Sequence, residues 1–558
     1  MKILIDTNGK AIVSSQKAYA VEGTSPDLSI PIPKYTGTVD VSGLTALGWD
    51  SYDIQWLQDH VWWDAEDDDY WKVSSANLAF GPSGATPLTW ANRATIKTNP
   101  DVRYLPKFDP SPSSNTSWSG LFNGYIYLYA IPTHGWHTEY VTNFQNLFYN
   151  CRLLRSVGDL TSWNTAKVTT LYQSFYYCYS LMDIGDIGGW NTAAVTNMSL
   201  TFYYCKSLRK IGDISGWNTG NVTTFNSLFY CCYLLDDIGD LSSWNTAKVT
   251  SITTMFYNCN SLRKVGKLDT WNTEKLTGSL ANVFGYCYSL QYPLDLTSWD
   301  VSRATSIANM FVYCYCLTSV GDLSGWNTVN ITSFSNTFNG CHCINSLGDL
   351  SRWNTSKVTT MESLFSACFL LKSIGDISGW DTSKVTTFYY LFNNCFFLQG
   401  VGDLTRWNTS AITTASRCFY QAKLLRKRIS TWNVSGVKDF SYMFNGIYDE
   451  ELDISGWNLG AATSVGTSAN ASMFAAMHHT KILRLGPHFF DSTIATYYFN
   501  QMLNWTRESI VESLYTNQTL RNSSSTAVTV KLSTEAYDRL TADDISNITS
   551  KKITLTRG

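Results

Sequence analysis

WNTAAVTNMSLTFYYCKSLRKIGDISG, Trp190 to Gly216, is followed without a break by WNTGNVTTFNSLFYCCYLLDDIGDLSS, Trp217 to Ser243. In the first stretch the apolar residues are Trp190, Val195, Met198, Phe202, Cys205, Leu208, Ile211 and Ile214; in the second, Trp217, Val222, Phe225, Phe229, Cys232, Leu235, Ile238 and Leu241 fill the same slots. From the Phe slot onward the step is three residues, which fits neither a long α-helix nor a two-residue strand alternation. It fits a chain that coils around an apolar axis. Tryptophan marks the period at positions 136, 163, 190, 217, 244, 271, 299, 326, 353, 380, 407, 432 and 457, spaced by 27 residues except for one interval of 28 and a final two of 25. A fixed period in this range is the signature of a solenoid, in which each coil covers the apolar edge of its neighbour. The pattern predicts a strand near Arg209 to Ile214 and a short helical turn near Thr196 to Tyr204. Such a chain displays a long surface and is poorly suited to gathering catalytic groups from distant segments.

Three further ladders run through the array. The residue after tryptophan is almost always asparagine, as at Asn164, Asn191, Asn218, Asn245, Asn327, Asn354 and Asn408, with Asp300 and Asp381 as substitutes. A short amide or carboxylate satisfies backbone groups where a strand bends away. An acidic ladder comprises Asp159, Asp186, Asp213, Asp240, Asp295, Asp322, Asp349, Asp376 and Asp403, interrupted by Lys267. Stacked like charges need donors, solvent or cations; because no rung carries a second nearby carboxylate, turn stabilisation is favoured over a row of calcium sites. Ten of the 14 cysteines share one slot: Cys151, Cys178, Cys205, Cys232, Cys259, Cys287, Cys314, Cys341, Cys368 and Cys395. Disulfides between successive rungs are conceivable at a coil spacing of about 4.8 Å. Buried reduced thiols are the simpler reading, since cysteine packs as a small apolar residue. The 28-residue interval has its extra residue near Gly278 and carries Pro293, the array's only proline, so a local bulge is expected there.

Composition narrows the function classes. The formal net charge of −3 offers no polybasic surface for nucleic acid. No apolar run reaches the roughly 20 residues of a membrane span. The opening MKILIDTNGKAIVSSQKAYAVEG lacks the basic and apolar regions of a secretory signal, which leads to the expectation of a mature form or of assembly in a cytoplasm. Charged residues make up only 15 %, and Trp, Tyr and Phe together another 15 %, so the aromatic excess must build the core or face outward. The histidines are His60, His134, His137, His342, His478, His479 and His488; none belongs to a metalloprotease pair or a nucleophile motif. The cluster His478, His479 and His488 is the most suggestive of metal, yet no cofactor and no enzymatic activity are expected.

WNTSKVTTMESLF (Trp353 to Phe365) and WNVSGVKDFSYMF (Trp432 to Phe444) resemble the repeat unit of the BspA-like leucine-rich-repeat surface proteins, and the Leu-xx-Ile-xx-Ile-xx-Trp-Asn portion resembles the strand-to-asparagine part of a leucine-rich repeat. The likeness runs from Trp136 to Trp457. The flanks GLTALGWDSYDIQWLQDHVWWDAEDDDYWKVS (Gly43 to Ser75) and LSTEAYDRLTADDISNITSKKITL (Leu532 to Leu555) are similar to segments that border such repeats. The resemblance implies a leucine-rich-repeat-like solenoid and a non-catalytic adhesion or receptor-recognition role. Without a signal peptide or anchoring tail, a phage-encoded tail or capsid component that recognises the host surface is expected, with a bacterial cell-surface adhesin or a passive structural virion component as the alternatives.

The expected organisation is an attachment or oligomerisation element over 1–40, a cap over 41–135, the solenoid over 136–480 and a small αβ cap over 481–558. Asp50 and Ser51 are positioned to cap a short helix ending near His60. WWDAEDDDYW (Trp62 to Trp71) reads as a solvated acidic loop, with a cation site as the alternative. At the carboxyl end, ILRLGPHFF reads as a strand, Ser509 to Tyr515 as helix, and TAVTVKLS with KKITLTR as strands around a short helix.

Tyrosines crowd the variable positions beside the Phe and Cys slots: Tyr176, Tyr177, Tyr179, Tyr203, Tyr204, Tyr230, Tyr233, Tyr257, Tyr286, Tyr288, Tyr313 and Tyr315. They give way later to Asn339, Gly340, Ser366, Ala367, Asn393 and Asn394. A core requirement would not fade along the array, so these twelve are candidates for a recognition surface, with gap-filling between turns as the alternative. The strand-side positions Arg155, Asp183, Arg209, Asp236, Arg263, Thr318, Lys372 and Gln399 form the rival face. The expected partners are other virion structural proteins, a host-surface glycan or protein, and a further copy of the chain. Neither nucleic acid nor membrane insertion is expected.

Overall fold

The structure is a computed structural model that describes residues 44–45, 48–60, 97, 104–105, 116–399, 401–422, 429–518 and 527–558. The 1–40 element and the acidic stretch Trp62 to Trp71 lie outside the described residues. The chain divides into two compact units: the first holds residues up to 221 with 228–240 and 259–264, and the second holds 222–227, 241–258 and the residues from 265 onward.

In the first unit, helix α1 (Ser51–His60) forms where the Asp50 and Ser51 pair expects it. Asp50 Oδ1 accepts from the Asp53 amide at 2.9 Å, which satisfies a donor left orphaned at the helix start. The coils then stack through parallel bridges at Ala130, Ser156, Asp183, Lys210, Asp237 and Lys264. The expected strand at Arg209 to Ile214 is therefore centred correctly but shrinks to the bridge at Lys210. A 3₁₀ turn, Ile214–Gly216, replaces its end. Asp213 causes the change: its carboxylate accepts from the Ser215 amide and caps that turn.

The expected helical turn at Thr196 to Tyr204 is a different object. Leu200 and Tyr204 adopt φ values of 59° and 60°, which break any right-handed helix. Alternate amides point in different directions. Phe202 N donates to Leu228 O at 3.0 Å and Tyr204 N to Tyr230 O at 2.7 Å, both one coil onward, whereas Cys205 N closes a tight turn on Phe202 O at 3.1 Å. The backbone is satisfied between coils, so the segment needs no helix.

The second unit repeats the plan, with bridges at Ser306, Ser333 and Thr360 and at Thr387, Thr414, Asp439 and Ser464. The bulge falls where the 28-residue interval locates it: strands β1 (Gly278–Ser279) and β2 (Ala304–Ser306) pair in parallel with a register shift between Gly278 and Ser279. Among the described residues, longer strands appear only toward the carboxyl end. β3 (Glu451–Ile454) pairs with β4 (Ile482–Leu485), and β5 (Thr496–Phe499), β6 (Val528–Leu532) and β7 (Ile553–Arg557) form a parallel three-stranded sheet. Helix α2 (Arg507–Val511) precedes β6, and two helices, α3 (Thr534–Asp538) and α4 (Ala542–Ser550), occupy the β6–β7 crossover where one was expected.

The slots read from the sequence line the core of each unit. Phe202, Cys205, Leu208, Ile211 and Ile214 in the first, and Phe338, Cys341, Ile344, Leu347 and Leu350 in the second, are fully buried. Tryptophan does more than fill space. Trp217 Nε1 donates to Ile187 O at 3.0 Å and Trp380 Nε1 to Leu350 O at 3.0 Å, each tying its coil to the preceding one. The thiols do likewise: Cys205 Sγ donates to Phe175 O and Cys341 Sγ to Phe311 O. Burial pushes both thiols well above the ordinary range, so they remain protonated and inert.

Candidate functional site

In the first unit the residues that follow the Phe slot, Tyr149, Tyr176, Tyr203 and Tyr230, form a stack with centroid separations of 4.8, 4.7 and 4.6 Å and nearly parallel planes. The stack follows the coil repeat, because the carbonyl of each tyrosine accepts from an amide of the preceding coil. Tyr176 and Tyr203 have both ring faces taken up by their neighbours in the stack, so they offer a ligand phenol edges, not flat faces. Burial drives the Tyr203 phenol to about 12 and raises that of Tyr176, so the hydroxyls are neutral donors and acceptors. Alongside, Tyr177 lies 5.4 Å from both Tyr179 and Tyr204. Lys206 Nζ sits 4.8 Å from the Tyr179 ring, 5.3 Å from Tyr204 and 5.8 Å from Tyr233. Three electron-rich rings around one ammonium form a cation–π cluster.

In the second unit the remaining candidates make two columns. Tyr257, Tyr286 and Tyr313 meet edge to face at 5.3 and 5.2 Å. Tyr288 and Tyr315 stack at 5.1 Å, and the column continues through His342 at 4.6 Å to Phe369 at 4.3 Å. Desolvation in this stack lowers the His342 pKa to about 4. All twelve candidate tyrosines are half-buried, so the columns combine packing with a partly open edge.

The slot just before the Cys slot has a property that no residue count reveals. Its backbone is left-handed in coil after coil: φ is 61° at Tyr177, 60° at Tyr204, 62° at Tyr286 and 57° at Tyr313, and the same slot holds Asn258, Gly340 and Asn394 at 64°, 79° and 57°. Glycine and asparagine are the residues such a backbone favours, and a bulky side chain there is an outlier. Gly340 and Asn394 return this slot to residues that the backbone prefers, whereas Cys231, Ala367 and Gln421 keep the same left-handed backbone at φ 59°, 55° and 51°. A second group escaped sequence reading as well. Arg417 lies 5.0 Å from the Tyr390 ring and 4.4 Å from Tyr442, which occupy its own slot in the neighbouring coils.

The polar ladders work within the fold. Asp186, Asp213, Asp322, Asp349, Asp376 and Asp403 each cap a 3₁₀ turn by accepting from the amide two residues on. Asn191 Oδ1 accepts in the same way from Ala193 N, and Asn354 Oδ1 from Ser356 N. The rival strand-side face is also engaged: Asp183 caps Gly185 N, Arg155 lies over the Tyr129 ring, Arg263 pairs with Asp236 at 3.6 Å and Thr318 Oγ1 donates to Gln291 O. Burial lowers the Arg209 pKa. At Lys372 and Gln399 the Lys372 carbonyl accepts from the Gln399 amide.

His478, His479 and His488 have separate surroundings. His479 stacks on Tyr448, His488 Nδ1 meets Asp491 Oδ2 at 2.8 Å, and the His478 carbonyl accepts from Asn504. Among the described residues, Asp50, Asp53 and His134 are the group with ligand atoms close enough for a metal. They are already joined to one another: the His134 amide donates to Asp53 Oδ1 and the His134 ring meets Asp50 Oδ2, both at 3.1 Å. The His134 ring also stacks on Tyr52 at 4.2 Å. These contacts fasten α1 to the start of the array.

The repeat matches the sequence family described as "Mycoplasma protein of unknown function, DUF285" in five overlapping segments, residues 116–233, 182–292, 235–319, 314–401 and 396–481. The chain belongs to this DUF285 family. Among solved structures, a leucine-rich repeat protein from Bacteroides ovatus is similar at 14 % identity, with 82 % of this chain and 88 % of that one covered and a TM-score of 0.26. A leucine-rich repeat protein from Eubacterium ventriosum is similar at 14 % identity, with 71 % and 89 % covered and a TM-score of 0.28. Comparison with curated proteins finds no match. Within this DUF285 chain the stacked coils and their parallel bridges are a leucine-rich-repeat-like solenoid, as the period implies.

Proposed function

We propose that this DUF285 chain is a non-catalytic recognition protein whose tyrosine columns hold a host-surface glycan or protein, and that it is carried on a virion among other structural proteins. The observation that carries the reading is the left-handed slot. Tyr177, Tyr204, Tyr286 and Tyr313 stand where the backbone favours glycine or asparagine, at about 1–2 kcal/mol of conformational cost each. Rings retained at that cost supply something the backbone does not require. The Tyr149 to Tyr230 stack and the Lys206 cluster then set out phenol edges and one cation along a single strip. Such groups hydrogen-bond sugar hydroxyls or protein carbonyls at repeated intervals.

The test is a Tyr177→Asn/Tyr204→Asn double variant, which keeps residues suited to the left-handed backbone and removes only the rings. Labelled wild-type and variant proteins are compared for binding to panels of gut bacteria that include capsule mutants. Recognition through the strip requires strain-selective wild-type binding that falls at least tenfold in the variant while the melting temperature changes little. A variant that binds as well as wild type but melts lower would show that the rings serve packing alone and would sink the proposal.

A further inference from the structure

Twelve of the 14 cysteines are buried, and the two that are partly open, Cys316 and Cys343, occupy the same slot in consecutive coils. The residues just before them, Tyr315 and His342, stack ring on ring at 4.6 Å, and the Tyr313 amide donates to Asn339 O at 2.7 Å across the same two coils. This in-register pairing brings the two α-carbons to about the coil spacing of 4.8 Å, inside the range of roughly 4.4–6.8 Å that a disulfide spans. Elsewhere the slot holds Ser180, Ser207, Ser261 and Ser289, two residues beyond Cys178, Cys205, Cys259 and Cys287. The core cysteines differ in chemistry as well as access: Cys314 donates to Phe284 O and Cys341 to Phe311 O from full burial.

We infer that Cys316 and Cys343 are a modification site, a vicinal dithiol that closes to an intramolecular disulfide when a peroxide acts on the folded protein. In the balanced step one thiolate attacks the peroxide oxygen, giving a sulfenic acid and releasing the alcohol or water. The second thiolate attacks that sulfur, the S–S bond forms, and hydroxide leaves and is protonated to water. The two cysteines together lose two protons and two electrons, and the peroxide is reduced. Burial, with the field of Cys316 second, raises the Cys343 thiol to about 11. The Cys343 thiol is therefore largely protonated at neutral pH, and its thiolate fraction rises with pH.

The experiment treats the full native chain with hydrogen peroxide at pH 7, 8 and 9, quenches by acid, alkylates under denaturing conditions and maps the peptides by mass spectrometry. The expected product is one linkage, Cys316 to Cys343, with the other twelve cysteines alkylated and a rate that rises from pH 7 to 9 as thiolate forms. Cys316→Ser and Cys343→Ser, which restore the serine of other coils, should each abolish the linkage and leave far-UV circular dichroism unchanged. Recovery of both cysteines unlinked after prolonged oxidation, or their linkage to other cysteines or to a second chain, would overturn the assignment.

Discussion

Gly375 offers the sharpest test of how the coils are joined. It stands at φ +80°, and a β-carbon added there would overlap the Asp349 carboxylate, closest to Oδ1 and 2.7 Å from Cγ. Asp349 Oδ1 is in turn the acceptor that caps the turn at Leu350–Arg352, bonded to the Ser351 amide at 3.0 Å. Replacement of Gly375 by alanine therefore does two things. It forces a side chain into the left-handed region, at about 1–2 kcal/mol, and it expels the carboxylate from its bond, at about 1 kcal/mol. The single variant should lose about 2–3 kcal/mol. Asp349→Ala alone should lose about 1 kcal/mol, the ordinary worth of a capping side chain. Because the cap can be lost only once, the double variant should be no worse than Gly375→Ala, short of additivity by about 1 kcal/mol. Urea denaturation followed by tryptophan fluorescence supplies the four midpoints of the cycle. Strict additivity would refute the reasoning, since it would mean that the glycine and the aspartate of the preceding coil do not share a space.

Other expectations follow from single contacts. Trp380→Phe keeps an aromatic ring between Trp353 and Trp407 but deletes the donor to Leu350 O, and should cost about 1–3 kcal/mol in the same denaturation assay. His342, held neutral by burial with its pKa lowered to about 4, should make stability fall as pH drops from about 6.5 to 4, because the unfolded chain takes up a proton that the folded one refuses. His342→Phe, which copies Phe369 in the next coil, should remove that part of the pH dependence of the urea midpoint. Asp544, held at about 2 by its bonds to Arg507, contributes stability that is full above about 4 and lost as pH falls toward 2. Asp544→Asn should flatten amide-exchange protection of β6 and β7 across that window.

Much of the fold was legible in the sequence, and the reason is visible residue by residue. Phe202, Cys205 and Leu208 recur because each coil must present apolar atoms to the same axis, and that demand repeats with the chain. The bulge at Gly278 was legible too, since one extra residue must go somewhere. The segment from Thr196 to Tyr204 was not, because a three-residue apolar step suits a helical turn and a ribbon of tight turns alike. The candidate surface was legible only as a list of tyrosines. That three of them would stack face to face with Tyr149, leaving the inner rings only their edges, depends on the coil spacing and on χ angles that no repeat count contains. Arg417 was missed although its slot carries a signal: Tyr390 and Tyr442 lie in register with it on either side.

The sequence by itself determined the period, the inward slots and the capping role of the asparagine and aspartate ladders. Those are properties of one coil, set by where apolar side chains recur and by which short polar side chains reach their own backbone two residues on. The tertiary structure alone decided the left-handed slot, the closed faces of the tyrosine stack and the partial exposure of Cys316 and Cys343. Those depend on the neighbouring coil, because the hydrogen bonds that fix them join residues such as Phe202 and Leu228, or Tyr313 and Asn339. A bond across coils leaves no mark in the spacing of either residue, so only the stacked molecule could show it.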